Sequence, residues 1–267
     1  MKKFLATTMM AAATCFAATS ADAAVTDLTF GAPSDEGGGV YRYSNVTGDG
    51  TVDLLLTLGQ MSPGAVIKKV DGNATYFGGG SDNLTVVLDR DPSVNENYTW
   101  VHLTFDFVVS GTTTATSVAD SVLTFADIDS FGNILFSDFV ELDPTTFPAI
   151  ISVGSDLIQE DLASIPSGSP LTTGVRYIGP LNRTDDVLGN DPDQIGVSVI
   201  LSSTGVQSFE VVWGFYTQDP TARPGERGML LDGSFELEST NPVPEPASAA
   251  LLGLGGLVLA AASRRRR

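Results

Sequence analysis

The chain has 267 residues and a formal charge of −18 at pH 7, with 32 acidic residues against 14 Lys and Arg. Only 17% of its residues are charged, so the acidity reflects scarce Lys and Arg rather than dense charge. Such a surface repels phosphate backbones and anionic headgroups, which argues against nucleic acid as a partner and favours cations and neutral sugars.

Residues 1–23 carry Lys2 and Lys3, an apolar stretch from Phe4 to Ala18, and the small-x-small triplet Ala21-Asp22-Ala23. That order of parts predicts a secretory signal peptide, cut after Ala23 by signal peptidase. The one cysteine, Cys15, lies inside this segment, so the exported part is expected to have no thiol and no disulfide. Ala12-Ala13-Thr14 before Cys15 lacks the large aliphatic residue that a lipid-attachment site usually carries. Without disulfides the exported part needs a hydrophobic core of its own, and roughly 200 residues suffice for that. Residues 24–241 lose Lys2, Lys3 and Arg264–Arg267 but only Asp22 and Glu245, which leaves a formal charge of −22.

Residues 24–240 alternate short β-rich runs with Gly, Asn, Asp, Pro and Ser clusters, the pattern of a single all-β domain, an antiparallel β-sandwich of jelly-roll-like type. Strands are expected at 25–30, 40–44, 51–58, 65–70, 84–88, 98–109, 121–125, 134–140, 175–178, 196–201, 208–215 and 229–237. The clearest alternation sets Trp100, His102, Thr104 and Asp106 on a wet face against Val101, Leu103, Phe105 and Phe107 on a buried one. Ser155–Ser164 is expected to be helical, with Leu157, Ile158 and Leu162 on one side and Ser155 or Asp156 as its cap. The rest of the stretch from Asp143 to Gly174 reads as loop.

Candidate chemistry in this domain starts from its carboxylates. Calcium takes several hard oxygen ligands, and acidic loops between strands supply them. One such loop is Asp127-Ile128-Asp129-Ser130, whose two carboxylates share a side by alternation, with Asn133 and Glu141 nearby. Asp127, Asp129 and Glu141 are the candidate calcium ligands. A second acidic loop holds Asp185, Asp186, Asn190, Asp191 and Asp193. Neither has the ligand spacing of an EF-hand. Among the aromatics, Tyr41, Tyr43, Tyr76, Phe77, Trp100, Trp213, Phe215 and Tyr216 include candidates for stacking against sugar rings. His102, the sole histidine, has no Ser or Cys nearby in a nucleophile context, and Cys/His zinc sites are excluded. No catalytic group and no bound cofactor is therefore assigned.

After the domain come Val243-Pro244-Glu245-Pro246, the apolar run Ala247–Ala262, and Arg264, Arg265, Arg266 and Arg267. The run is shorter than the ~20 apolar residues that span a bilayer comfortably, so it is expected to hold the membrane weakly as a short transmembrane segment. The four arginines stay on the cytoplasmic side. Pro244 and Pro246 keep the neck extended, the form in which proteases bind substrate. In this order the three parts, over residues 241–267, resemble the PEP-CTERM sorting signal of exported proteins in Gram-negative bacteria. The resemblance implies an exosortase that cuts near Pro244, Glu245 and Pro246, an inner-membrane-tethered intermediate, and delivery to the cell surface or exopolysaccharide matrix. Residues 123–129 and 197–237 also look like strands of β-sandwich domains in other bacterial surface proteins, which implies a sandwich and no activity.

The expectation is therefore an exported, non-enzymatic envelope or matrix protein, processed at its C-terminal signal. Two alternatives stand beside it. One is a secreted calcium-dependent carbohydrate-binding module. The other is an exported hydrolase working with a carboxylate pair ~5 to 9.5 Å apart.

Overall fold

The computed structural model of the chain describes residues 27–74, 83–131, 136–143, 147, 149–153, 157–164, 171, 173–179, 196–222 and 225–233. These residues form two antiparallel sheets packed face to face. The larger runs in the order β1 (Ser34–Gly37), β2 (Val40–Tyr43), β3 (Val52–Met61), β6 (Tyr98–Val109), β14 (Ser208–Thr217), β9 (Phe136–Leu142), β12 (Val175–Ile178), β11 (Ile158–Asp161), with β8 (Ser130–Phe131) also against β9. The smaller runs β10 (Ala149–Val153), β13 (Val197–Ile200), β7 (Val122–Ala126), β15 (Arg227–Asp232), β5 (Asn83–Arg90), β4 (Ala65–Ala74).

Alternation along the strands builds the core, because successive side chains leave opposite faces. Val101, Leu103, Phe105 and Phe107 of β6 turn inward with Phe209, Val211, Trp213 and Phe215 of β14. They meet Leu84, Val86 and Leu88 of β5, Met229 and Leu231 of β15, and Leu123 and Phe125 of β7. The rings of Phe105 and Phe209 stack with centroids 4.6 Å apart, and Phe147 stands edge-on to Phe209 at 5.3 Å. Each such buried ring contributes about 1.5–3 kcal/mol relative to an exposed one. Gly214 is small for a reason: a Cβ there would lie 2.4 Å from the Thr99 carbonyl oxygen and 2.6 Å from the Phe139 ring.

Three expectations are corrected here. Within Ser155–Ser164, Ile158–Asp161 is edge strand β11, in register with β12 from Ile158↔Ile178 to Asp161↔Val175, followed by one 3-10 turn at Leu162–Ser164. A helix this short is marginal by itself. Its apolar positions form no buried stripe either, since Leu162 is buried while Ile158 is 45% exposed. Ala149–Val153, inside the stretch read as loop, is strand β10. Of Val25–Phe30, the described part contributes one isolated bridge, Leu28 to Gly233. Strand β1 was not foreseen because Ser34-Asp35-Glu36-Gly37 is wholly exposed and has no apolar alternation.

Register also sorts the connections between two poles. The Leu28 amide donates to the Gly233 carbonyl at 2.9 Å, so the first and last described segments meet. At this near pole Thr29 bonds Val46, Ser110 bonds Thr51, and Val118 bonds Val206. Asp53 joins the turns here: it accepts from the amides of Asn45 and Gly111, the Ser110 hydroxyl and the Arg42 guanidinium. Burial works against its charge, but those donors together hold its carboxyl below the usual range. Strand β15 reaches Gly233 from the opposite, far pole, which carries the turn at 62–64 and the loop residues 91–97, 127–129, 218–222 and 225–226.

Candidate functional site

The three candidate calcium ligands are divided between two arginines. Arg227 opens β15 and points between the sheets, where its Nε donates to both oxygens of Asp138 at 3.1 Å. Its Nη2 donates to Asp129 and again to Asp138, and its guanidinium lies 4.2 Å above the Phe136 ring. Asp127, at a left-handed φ of 65°, adds negative charge beside the same arginine. Burial works against the charge of Arg227, but Asp138, then Asp129 and Asp127, outweigh it and hold the guanidinium above its usual value. Asp138 is pushed well above the carboxylate range, first by burial and then by Asp129, with Arg227 opposing. The two directions agree, because one cation cannot neutralise several carboxylates in a buried site.

Glu141 lies three residues beyond Asp138 on β9 and leaves the other face of the strand. There it accepts from the Nε of Arg176 at 3.1 Å, and both side chains are fully buried. Arg176 also sits 4.5 Å from the Phe139 ring centroid, 5.0 Å from that of Tyr98, and 3.8 Å from Glu160. Trp100, Phe139, Ile178 and Val212 form a second, smaller core on the outer face of the larger sheet, so Trp100, expected on a wet face, is buried. The structure thus brings Asp127 and Asp129 to one place and Glu141 to another. Among the described residues no three His, Cys, Asp or Glu gather as a metal site. The second acidic loop, Asp185 to Asp193, lies outside the described residues.

A third arginine, the buried Arg90, organises the far pole. It is the last residue of β5 and only 2% exposed. Its Nη1 donates to the Glu96 carbonyl and, at 3.2 Å, to the Thr217 hydroxyl, while its Nη2 donates to the Ala222 carbonyl. The two loops it holds open alike, with Asp91-Pro92-Ser93 and Asp219-Pro220-Thr221. Asp91 accepts from the amide and hydroxyl of Ser93, and Asp219 from those of Thr221. Asn97 links the loops by donating to the Thr217 carbonyl at 2.8 Å and the Gln218 carbonyl at 3.2 Å. Nothing in the sequence marks Arg90 for this role; a cation ending an inward-alternating strand is the one available signal.

Of the aromatic candidates, Tyr43, Trp213 and Phe215 are core and Trp100 is 3% exposed, which leaves Tyr41 and Tyr216 half-buried at the surface. Tyr76 and Phe77 lie outside the described residues. Tyr98, not among those candidates, faces Tyr216 across β6 and β14 with centroids 4.8 Å apart. His102 stands on the outer face as expected, its Nε2 3.3 Å from Glu210. An open groove beside β11 is lined, among the described residues, by Gln159, Asp161, Gly174 and Val175.

The segments at both ends, with Ala23, Pro244, Glu245, Pro246 and Arg264–Arg267, lie outside the described residues, among which no helix is long and apolar enough to cross a membrane. No curated protein sequence matches the chain. Over 78% of its length the chain is similar to the N-terminal domain of the Streptococcus gordonii adhesin Sgo0707, at 11% identity and a TM-score of 0.35. The matched region spans 62% of that domain. Residues 242–267 match the family described as the PEP-CTERM protein-sorting motif. The chain therefore ends in a PEP-CTERM sorting motif, which marks an exported, surface-directed protein that an exosortase processes.

Proposed function

We propose that this chain is a non-enzymatic component of the bacterial envelope or its exopolysaccharide matrix, displayed as a β-sandwich after both of its ends are processed. The match of residues 242–267 to the sorting motif carries this reading. Signal peptidase removes residues 1–23. The apolar run Ala247–Ala262 then holds the chain briefly in the inner membrane, and the exosortase releases it near Pro244–Pro246. The buried polar groups of the domain support a structural role, because Arg90, Arg176 and Arg227 are each spent on carbonyls or carboxylates inside the fold. The test is intact mass of the protein from envelope and medium, in cells with and without the exosortase. A chain that starts at Ala24 and ends near Pro244, with the tail persisting only when the enzyme is missing, supports the reading. A tail retained in both strains makes the segment a plain anchor and removes it.

A further inference from the structure

We propose that the outer face of the larger sheet carries a shallow binding site for neutral sugar chains, built from Tyr98, Tyr216, Arg176 and Glu160. The proposal rests on the matrix reading above and adds to it the surface that meets the polysaccharide.

Register builds the floor of the site. Tyr98 and Tyr216 are direct partners across β6 and β14, with ring centroids 4.8 Å apart and planes tilted by 48°. Leu171 packs against the same cluster, yet both tyrosines stay partly exposed. Such rings offer an apolar surface to the C–H groups of a pyranose while their hydroxyls keep polar partners. Beside them, Glu160 on β11 lies opposite Arg176 on β12. The Arg176 guanidinium stands 5.0 Å from the Tyr98 centroid, which brings this polar pair up to the rings. The Tyr98 phenol belongs to the same group: burial first of all pushes it up, and Arg176, Tyr216 and Glu160 all act on it, so it stays a neutral hydroxyl.

The polar half of the site is a donor that the fold does not use. Arg176 is fully buried and gives its Nε to Glu141, but its Nη1 makes no hydrogen bond. Oε2 of Glu160 is 3.8 Å from that nitrogen, too far for a direct bond, and the Glu160 side chain is 38% exposed. A hydroxyl suits this pair, because it accepts from Nη1 and donates to the carboxylate at once. A carboxylate suits it badly. Glu141 and Glu160 already outnumber Arg176, and the chain as a whole carries a formal charge of −18, so an acidic polymer is repelled. Charge and hydroxyl chemistry together select a neutral hexose polymer.

Protein recovered from its own cells is run in native gels cast with a dextran, a mannan or a galactan, all neutral, or with polygalacturonate. At least one neutral polymer is expected to retard it, and polygalacturonate is not. Tyr216→Ala is expected to weaken that retardation about fivefold or more. Glu160→Ala, which leaves both rings in place, is expected to weaken it about as much. Thr113→Ala, on an exposed turn at the near pole, should match the parent. Thermal melts accompany each variant, so that loss of fold is told apart from loss of binding. Retardation by none of the three neutral polymers, retardation by polygalacturonate instead, or equal retardation of the parent and both site variants overturns the site. None of these outcomes bears on the processing reading, which the intact masses decide.

Discussion

Replacing Arg227 with Met gives the sharpest test of how the two sheets are joined. The substitution keeps much of the side-chain volume and the contact with the Phe136 ring, but removes the cation that Asp138 and Asp129 share. Asp138 is fully buried, so its charge is left without a partner, a loss of about 3–5 kcal/mol. For a domain of this size each kcal/mol moves the melting temperature by roughly 2–4 °C, so a fall of about 10 °C is expected. The variant escapes part of the penalty by protonating Asp138. Its folded value is already raised, and loss of Arg227 raises it further. A raised carboxyl destabilises the fold as pH climbs from its unfolded value, about 3.9, towards the folded one. The deficit against the parent is therefore expected to be largest near pH 8 and to shrink towards pH 4. Adding Asp138→Leu should recover most of the loss, because an apolar pair of similar volume substitutes well for a buried ion pair. Urea melts of the parent, both single variants and the double variant at pH 5 and pH 8 measure all of this. A loss below about 1 kcal/mol that does not vary with pH would refute the reasoning.

The same variant bears on calcium. If the loop at Asp127 and Asp129 binds it, the ion competes with Arg227 for Asp129, so Arg227→Met should bind calcium more tightly than the parent; equal calorimetric heats from both separate that loop from calcium. Asp53→Asn should destabilise the near pole by about 2 kcal/mol or more, the scale of losing charge-assisted hydrogen bonds. Because the Asp53 carboxyl is held low, the parent's advantage should be present above the unfolded carboxylate value and vanish as pH falls through the folded one. Gly214→Ala should cost about 1–3 kcal/mol by overpacking against Thr99 and Phe139, read as a lower urea midpoint with an unchanged slope. In an alkaline titration followed by phenolate absorbance, Tyr177, which burial pushes up to about 12, and Tyr43, pushed higher still, should ionise late and unfold the domain as they do. Simultaneous ionisation of all phenols below pH 11, with the fold intact, contradicts their burial.

Sequence alone identified the sorting motif, the all-β class and most of the strands that alternate apolar with polar residues, β6 foremost. Those features are legible because each is local: a motif is read within a few residues, and period-two patterning follows from one strand crossing one boundary between core and water. Elements whose neighbours hold them in place were not legible. Polar β1 and edge strand β11 owe their conformation to pairing with β2 and β12, and so does β10 to β13. Charge behaved in the same way. Asp127, Asp129 and Glu141 are close in sequence, yet Arg227 and Arg176 claim Asp129 and Glu141 on opposite faces of the larger sheet. Only tertiary structure decided those pairings, because a carboxylate's partner is chosen by strand order, and strand order leaves no trace in the period of a single strand.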